Sequence, residues 1–260
     1  MRNILTLTQR ELRSYFQSPI AYAVITVFLV VTGVIFWLRF SFFYQYSLEV
    51  SRNPYMMQQY EINVTEQVLE PIFYTISFLS LFVIPMLTMR SFSEDKKSGA
   101  IELLLTYPVR DIEVALSKLL ACFIVYACMI ALTLLYPALT AKLSNPETAS
   151  VVMGYVGLLL SGAAFVSVGM FISSMTENQI IAVATSYGLL LLFWLLGATE
   201  DSVPPPYNTV LTDLSLFNHM ENFARGVLNT RDLVYYLNFV ILFMFLTLRS
   251  LEVTKWKGKA

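Results

Sequence analysis

TASVVMGYVGLLLSGAAFVSVGMFISSMTENQIIAVATSYGLLLLFWLLGAT, residues Thr148–Thr199, carries a single charged residue, Glu177. As one helix rising 1.5 Å per residue it would be about 78 Å long, against roughly 30 Å for the hydrocarbon core of a bilayer. The stretch must fold back, and its only polar cluster, SSMTENQ at Ser173–Gln179, marks the turn. Two spans joined by a very short hairpin follow from this. The first of the two is rich in small residues (Gly154, Gly157, Ser161, Gly162, Ser167 and Gly169 among them). Small residues let helices approach closely in lipid, so close packing accounts for them before any substrate path does.

The rest of the chain repeats the theme. Apolar residues make up 57% of the 260 and charged residues only 13%, where globular domains carry roughly a quarter charged. A soluble enzyme is thereby excluded, and a net charge of −1 offers no electrostatic footprint for nucleic acid. Working outward from the hairpin, the apolar runs predict an all-α integral membrane protein of six transmembrane helices. The expected spans are 20–38, 71–89, 119–141, 150–172, 179–199 and 233–248, in one transmembrane domain over 1–260. Pro19 suits the start of the first span, and an aromatic belt from Trp37 to Tyr46 marks its far end. Pro137 is expected to kink or loosen the outer end of the third.

Before the first span, Arg2–Ser18 reads as an amphipathic helix lying in the headgroup plane. At 100° per residue Ile4, Leu5, Leu12, Tyr15 and Phe16 share one arc, with Arg10 and Arg13 beside it and Leu7 off it. Orientation follows from the basic residues. With the N-terminus inside, twelve of the 17 Lys and Arg fall in inward-facing segments and five in outward-facing ones, so both termini are expected to be cytoplasmic. The connection over 200–232 is broken by Pro204–Pro206. Beyond it, short amphipathic helices are expected, with Leu214, Leu216, Phe217, Phe223, Val227 and Leu228 as their apolar residues.

Chemistry is sparse. No expected span holds an internal charge, whereas ion-coupled carriers usually keep ionisable groups within the bilayer. His219 is the sole histidine, expected as a packed or exposed loop residue without metal-site partners, and no GxSxG elbow supports hydrolysis. No GxxxxGK[ST] loop is present either. Cys122 and Cys128 are expected as small apolar fillers.

What remains is RSFSEDKKSGAIELLLTYPVRD, Arg90–Asp111, between the second and third spans. Its mixed-charge head, the break at Ser98–Gly99, the apolar turn Ile101–Leu105 and the stop at Pro108 describe a structured protrusion able to dock a soluble partner. With RELRSYFQSPIAY (Arg10–Tyr22), RSFSEDKKSGAIELLLTYPVRDIEVALSKLLA (Arg90–Ala121) and SSMTENQIIA (Ser173–Ala182) in this order, the chain resembles the permease subunits of ABC-2 type ABC exporters. Ala100 and the Asp95–Lys96 pair depart from the family's usual residues at the second block. The block LSLFNHMENFARGVLNTRDLVYYL (Leu214–Leu237) is similar to the gliding-motility-associated permease subgroup, and nitrous-oxide-reductase-maturation permeases look similar too.

The resemblance implies a bacterial inner-membrane permease with no catalytic residue and no cofactor or metal of its own. ATP and Mg would bind a separate ABC ATPase subunit, and a second permease copy or paralogous membrane subunit would complete the membrane part. It implies ATPase-coupling contacts at Glu94, Lys97, Gly99, Glu102, Leu103, Leu104 and Pro108, and a second set at Glu177, Asn178 and Gln179. Arg10, Arg13 and Tyr15 would lie on the interfacial helix beside the ATPase. A non-transporting membrane anchor in a motility or maturation complex is the alternative from another class.

Overall fold

The computed structural model describes residues 2–52, 63–100, 110–198 and 213–257. All regular structure among them is helical. Helix α1 is Arg2–Gln17 and α2 is Pro19–Arg52, separated by Ser18 alone. A π-helical turn, Thr65–Leu69, leads into α3, Glu70–Thr88, and α4, Arg90–Lys97, follows after Met89. Next come α5, Asp111–Leu132, and α6, Leu135–Thr140. The hairpin pair is α7, Thr148–Met175, and α8, Gln179–Ala198. Last are the short α9, Asn218–Ala224, and α10, Thr230–Lys257. Six of these segments are long and apolar enough to cross a membrane: Pro19–Arg52, Thr65–Lys97, Asp111–Thr140, Thr148–Met175, Gln179–Gly197 and Thr230–Val253.

Helix α7 is the axis of the bundle. It is apolar on every side, and it packs against α10, α3, α9, α8, α5 and α4. A helix contacted all round needs small residues wherever a bulky neighbour crosses. A Cβ on Gly162 would fall 2.0 Å from Tyr126 Cε1, one on Gly154 2.4 Å from Phe73 Cε2, and one on Gly157 2.6 Å from Phe223 Cβ. The small residues of this span are packing residues.

Helices α2 and α8 lie outside, each buried along one stripe. On α2 the stripe is Ala21, Phe28, Thr32 and Phe36, and on α8 it is Ala182, Ser186 and Leu190. The α2 stripe meets α6, where Thr32 Oγ1 lies 2.9 Å from the Tyr136 hydroxyl and the Phe36 and Tyr136 rings stack at 4.7 Å.

Several boundaries differ from those expected. Helix α2 continues to Arg52 rather than ending near 38, because residues 39–52 contain neither Gly nor Pro to stop it. The third crossing begins at Asp111, where Arg110 is extended and its N–H donates to Glu113 Oε2 at 3.2 Å, closing the first turn. It breaks at Thr133–Leu134, one turn before Pro137, whose ring nitrogen has no proton to give the Thr133 carbonyl. Helix α10 starts at Thr230, earlier than expected, and runs to Lys257. In the preceding connection Leu216 and Phe223 are buried, whereas Leu214, Val227 and Leu228 are exposed, since the helix there spans only Asn218–Ala224. The chain then turns at Gly226, whose φ of +81° no side chain adopts readily.

Candidate functional site: an ion-paired junction at one end of the bundle

Helix α1, α4, the start of α5, the α7–α8 hairpin and the last turns of α10 meet at one end of the bundle, the terminal face. Helix α1 packs chiefly against α5. Its buried side carries Thr8, fully sunk, and Leu7 and Tyr15, both packed on the core, while Leu5 and Phe16 are exposed. This corrects the expected arc: Leu7 belongs to the contact, and Leu5 and Phe16 face away from it. One turn and two turns beyond Thr8, the same side presents Glu11 and Tyr15.

Glu11 is the first member of a buried charge cluster. Lys118 on α5 places Nζ 3.1 Å from Glu11 Oε1 and 2.8 Å from Asp95 Oδ2 on α4. The Lys118 side chain is 4% exposed and the two carboxylates 17% and 19%. The same ammonium stands 5.4 Å from the centre of the Phe92 ring. One cation thus clamps three helices, and removing it would leave two carboxylates facing each other with little water.

Beside the clamp, the Tyr15 hydroxyl donates to Leu87 O at 3.0 Å and lies 2.9 Å from Cys122 Sγ. Burial, helped by the neighbouring Cys122 thiol and Glu11 carboxylate, holds the Tyr15 phenol well above its ordinary pKa. Arg90 at the head of α4 donates from Nη1 to Ser18 Oγ at 3.1 Å, fastening α4 to the α1–α2 joint.

The other side of α4 is fastened to α7. Ser173 Oγ accepts from the N–H groups of Phe92 and Ser93 at 3.0 and 3.1 Å and donates to Met89 O at 3.0 Å. Lys96 Nζ donates to Ser174 O, which also accepts from Ser250 Oγ on α10 at 3.0 Å. These bonds close the backbone groups left open where α3 passes into α4.

The structure therefore brings the two sequence-expected contact regions side by side. From α4, Glu94, Lys97, Ser98 and Gly99 are exposed. Gly99 has φ +70° and no atom within 4 Å of a Cβ added there, so the turn requires glycine for its backbone and not for space. From the hairpin, Glu177 and Asn178 are exposed and Gln179 is half-buried. Asn178 has a local task as well: its Oδ1 accepts the Ile180 N–H at 2.9 Å and caps α8. Arg10 and Arg13 are exposed on α1. Glu102, Leu103, Leu104 and Pro108 lie outside the described residues.

Sequence reasoning missed the clamp itself. The signal was present: Glu11 is a lone acid on the α1 face that carries Leu7 and Tyr15, and Lys118 is a lone cation in the first turns of an apolar helix. At the far end of the bundle His219 is also more than a loop residue. Its Nδ1 lies 2.6 Å from Asp232 Oδ1, Asn222 Nδ2 donates to Asp232 Oδ2 at 2.7 Å, and the Tyr235 ring stacks on the imidazole at 3.9 Å. His219 and Asp232 are both buried, and the pair joins α9 to α10. No group of three or more His, Cys, Asp or Glu suited to a metal occurs among the described residues.

The sequence profile of ABC-2 type transporters matches residues 2–228, from α1 through α9. The chain belongs to the ABC-2 type transporter family. As an ABC-2 membrane protein it is a multi-pass permease component, and its six apolar crossings are the membrane part of such a transporter. None of the curated proteins compared with it matches the chain.

Proposed function

We propose that this chain is the permease subunit of an ATP-driven exporter, levered by a separate ABC ATPase that docks on the terminal face. The supporting observation is the clamp: Lys118, Glu11 and Asp95 lock α1, α4 and α5 together, and Ser173 and Ser174 lock α4 to α7. A push on α4 is thereby delivered to the central helix and to α1 at once, which a flexible loop could not do. The exposed residues of α4 and the hairpin, Glu94, Lys97, Glu177 and Asn178, form the docking surface; for Glu102, Leu103, Leu104 and Pro108, outside the described residues, the same role rests on the family resemblance.

In this reading the terminal face is cytoplasmic, as the distribution of Lys and Arg supports, and the membrane is the bacterial inner membrane. ATP and Mg bind the partner, and a second permease copy or a paralogous membrane subunit completes the pore. The Leu214–Leu237 block supports a gliding-motility-type assignment within the family. Gly99→Pro tests the coupling, because proline cannot take φ +70° and must rebuild the turn. The expected result is normal membrane insertion with ATP hydrolysis by the reconstituted complex no longer responding to the permease. A variant complex indistinguishable from wild type in ATPase binding and turnover would overturn the assignment. So would flux that needs no nucleotide.

A further inference from the structure

Between α1 and the spans, a half-open cavity of about 290 Å³ opens on the terminal face, close to the lower end of ligand-pocket sizes of roughly 300–1,000 Å³. Its lining divides into two zones. On the side of the terminal face stand Arg10, Glu11, Arg90, Glu94, Asp95 and Lys118. On the side of the bundle stand Ile20, Val24, Met86 and Leu87, from the first turns of α2 and the last turns of α3. The apolar zone leads out of the cavity: Ile20 and Val24 are followed at helical spacing by the exposed Val27 and Val31, and Met86 is preceded by the exposed Phe82.

The polar zone is not self-satisfied. Lys118 is taken by Glu11 and Asp95, which leaves Arg10, Arg90 and Glu94. Among the described residues Arg90 Nε is buried without a hydrogen-bond partner, with Glu94 Oε2 as its ionic neighbour at 3.9 Å. Ser91, 3% exposed, lines the same cavity, where its hydroxyl has the Cys122 thiol as a weak partner. The carbonyl a turn back, Leu87 O, already receives the Tyr15 hydroxyl. A buried donor such as Arg90 Nε is normally satisfied, and here the space beside it could hold the missing acceptor.

We propose that this cavity binds the headgroup of a zwitterionic phospholipid. The phosphate lies toward Arg10, Arg90 and the Ser91 hydroxyl, the headgroup ammonium toward Glu94, and the acyl chains run along Ile20–Val31 and Phe82–Met86. Guanidinium groups suit phosphate oxygens, and three cations set against three carboxylates favour a headgroup of zero net charge over an anionic one. The lipid is a resident of the α1 joint rather than cargo. By filling the wedge between α1 and α3 it stiffens the junction through which α4 moves.

The test is thermal unfolding of the purified full-length protein in a neutral sugar detergent, titrated with short-chain phosphatidylethanolamine. Short-chain phosphatidylglycerol, glycerophosphoethanolamine and inorganic phosphate are titrated in parallel. The wild type should be stabilised by phosphatidylethanolamine at the lowest concentration. Arg10→Gln/Arg90→Gln should need about tenfold more or worse, as expected for losing a charge-assisted contact. Ser14→Trp keeps every ion pair and fills the mouth of the cavity, where Ser14 is exposed; it should abolish the response with unfolding otherwise unchanged. Equal responses in wild type and Ser14→Trp would overturn the site. Equal stabilisation by inorganic phosphate or glycerophosphoethanolamine would overturn the lipid, and a preference for phosphatidylglycerol the zwitterionic headgroup.

Discussion

Lys118→Met removes the ammonium of the clamp while keeping the length and apolar stem of the side chain. Two carboxylate oxygens, 3.1 and 2.8 Å from the lost nitrogen, then face a methyl group where the lysine side chain was 4% exposed. Removing one partner from a buried charge cluster costs about 3–5 kcal/mol, most of it from the charge left unpaired. Glu11 and Asp95 retain 17% and 19% exposure, enough for some water to reach them, so the loss should sit near the lower bound, about 3 kcal/mol. Glu11→Gln is a milder change. It leaves the 2.8 Å pair of Lys118 with Asp95 intact and exchanges an ionic for a neutral hydrogen bond, at about 1 kcal/mol. Lys118→Met combined with Glu11→Gln and Asp95→Asn carries no stranded charge and should recover about half of the single-variant loss or more. Equilibrium unfolding of the full chain in detergent, followed by tryptophan fluorescence, reads all three. The reasoning fails if Lys118→Met is as stable as wild type, or if the triple variant is worse than the single one.

Two further predictions concern the same joint and the central helix. Since the Tyr15 phenol is held above its ordinary value by burial, its contribution is complete below the unfolded pKa of about 10 and declines as pH rises from there towards the folded value. Tyr15→Phe should therefore flatten part of the loss of stability seen above about pH 10; an unchanged alkaline profile would refute it. On α7, Gly162→Val should cost about 1–3 kcal/mol or more, because its Cβ would overlap Tyr126 at 2.0 Å. Gly188→Ala on α8 meets no atom within 4 Å and should be neutral or stabilising by about 0.5–1 kcal/mol. Equal effects of the two would argue against α7 as the packed axis.

The elements that were legible in the sequence are those set by local chemistry. The hairpin was readable from Ser173–Gln179, the break before Pro137 from its missing N–H, the end of α4 from Ser98–Gly99, and the packing role of Gly154, Gly157 and Gly162 from their density in an apolar run. The boundaries that moved did so for lack of punctuation: nothing between Leu38 and Arg52 stops a helix, so α2 outlasts its hydrocarbon stretch. The lone charges of the clamp could be read in each helix, but their pairing could not, because it is long-range. Glu11 and Lys118 are 107 residues apart, and no periodicity within either helix names the other. Likewise Ser173 looked like part of a polar turn, yet its hydroxyl serves the backbone of α4. His219 lacked an obvious partner only because Asp232 sits thirteen residues on, across the turn at Gly226.

The most direct measurement is photocrosslinking of the permease, co-expressed with its ATPase in intact membranes, from single sites in three places. Crosslinkers at Glu94 on α4 and at Glu177 in the hairpin should each give an adduct of ATPase mass, and one at Lys142, exposed at the opposite end of the bundle, should give none. Adducts from Lys142, or none from Glu94 and Glu177 while the two proteins still co-purify, would contradict docking at the terminal face.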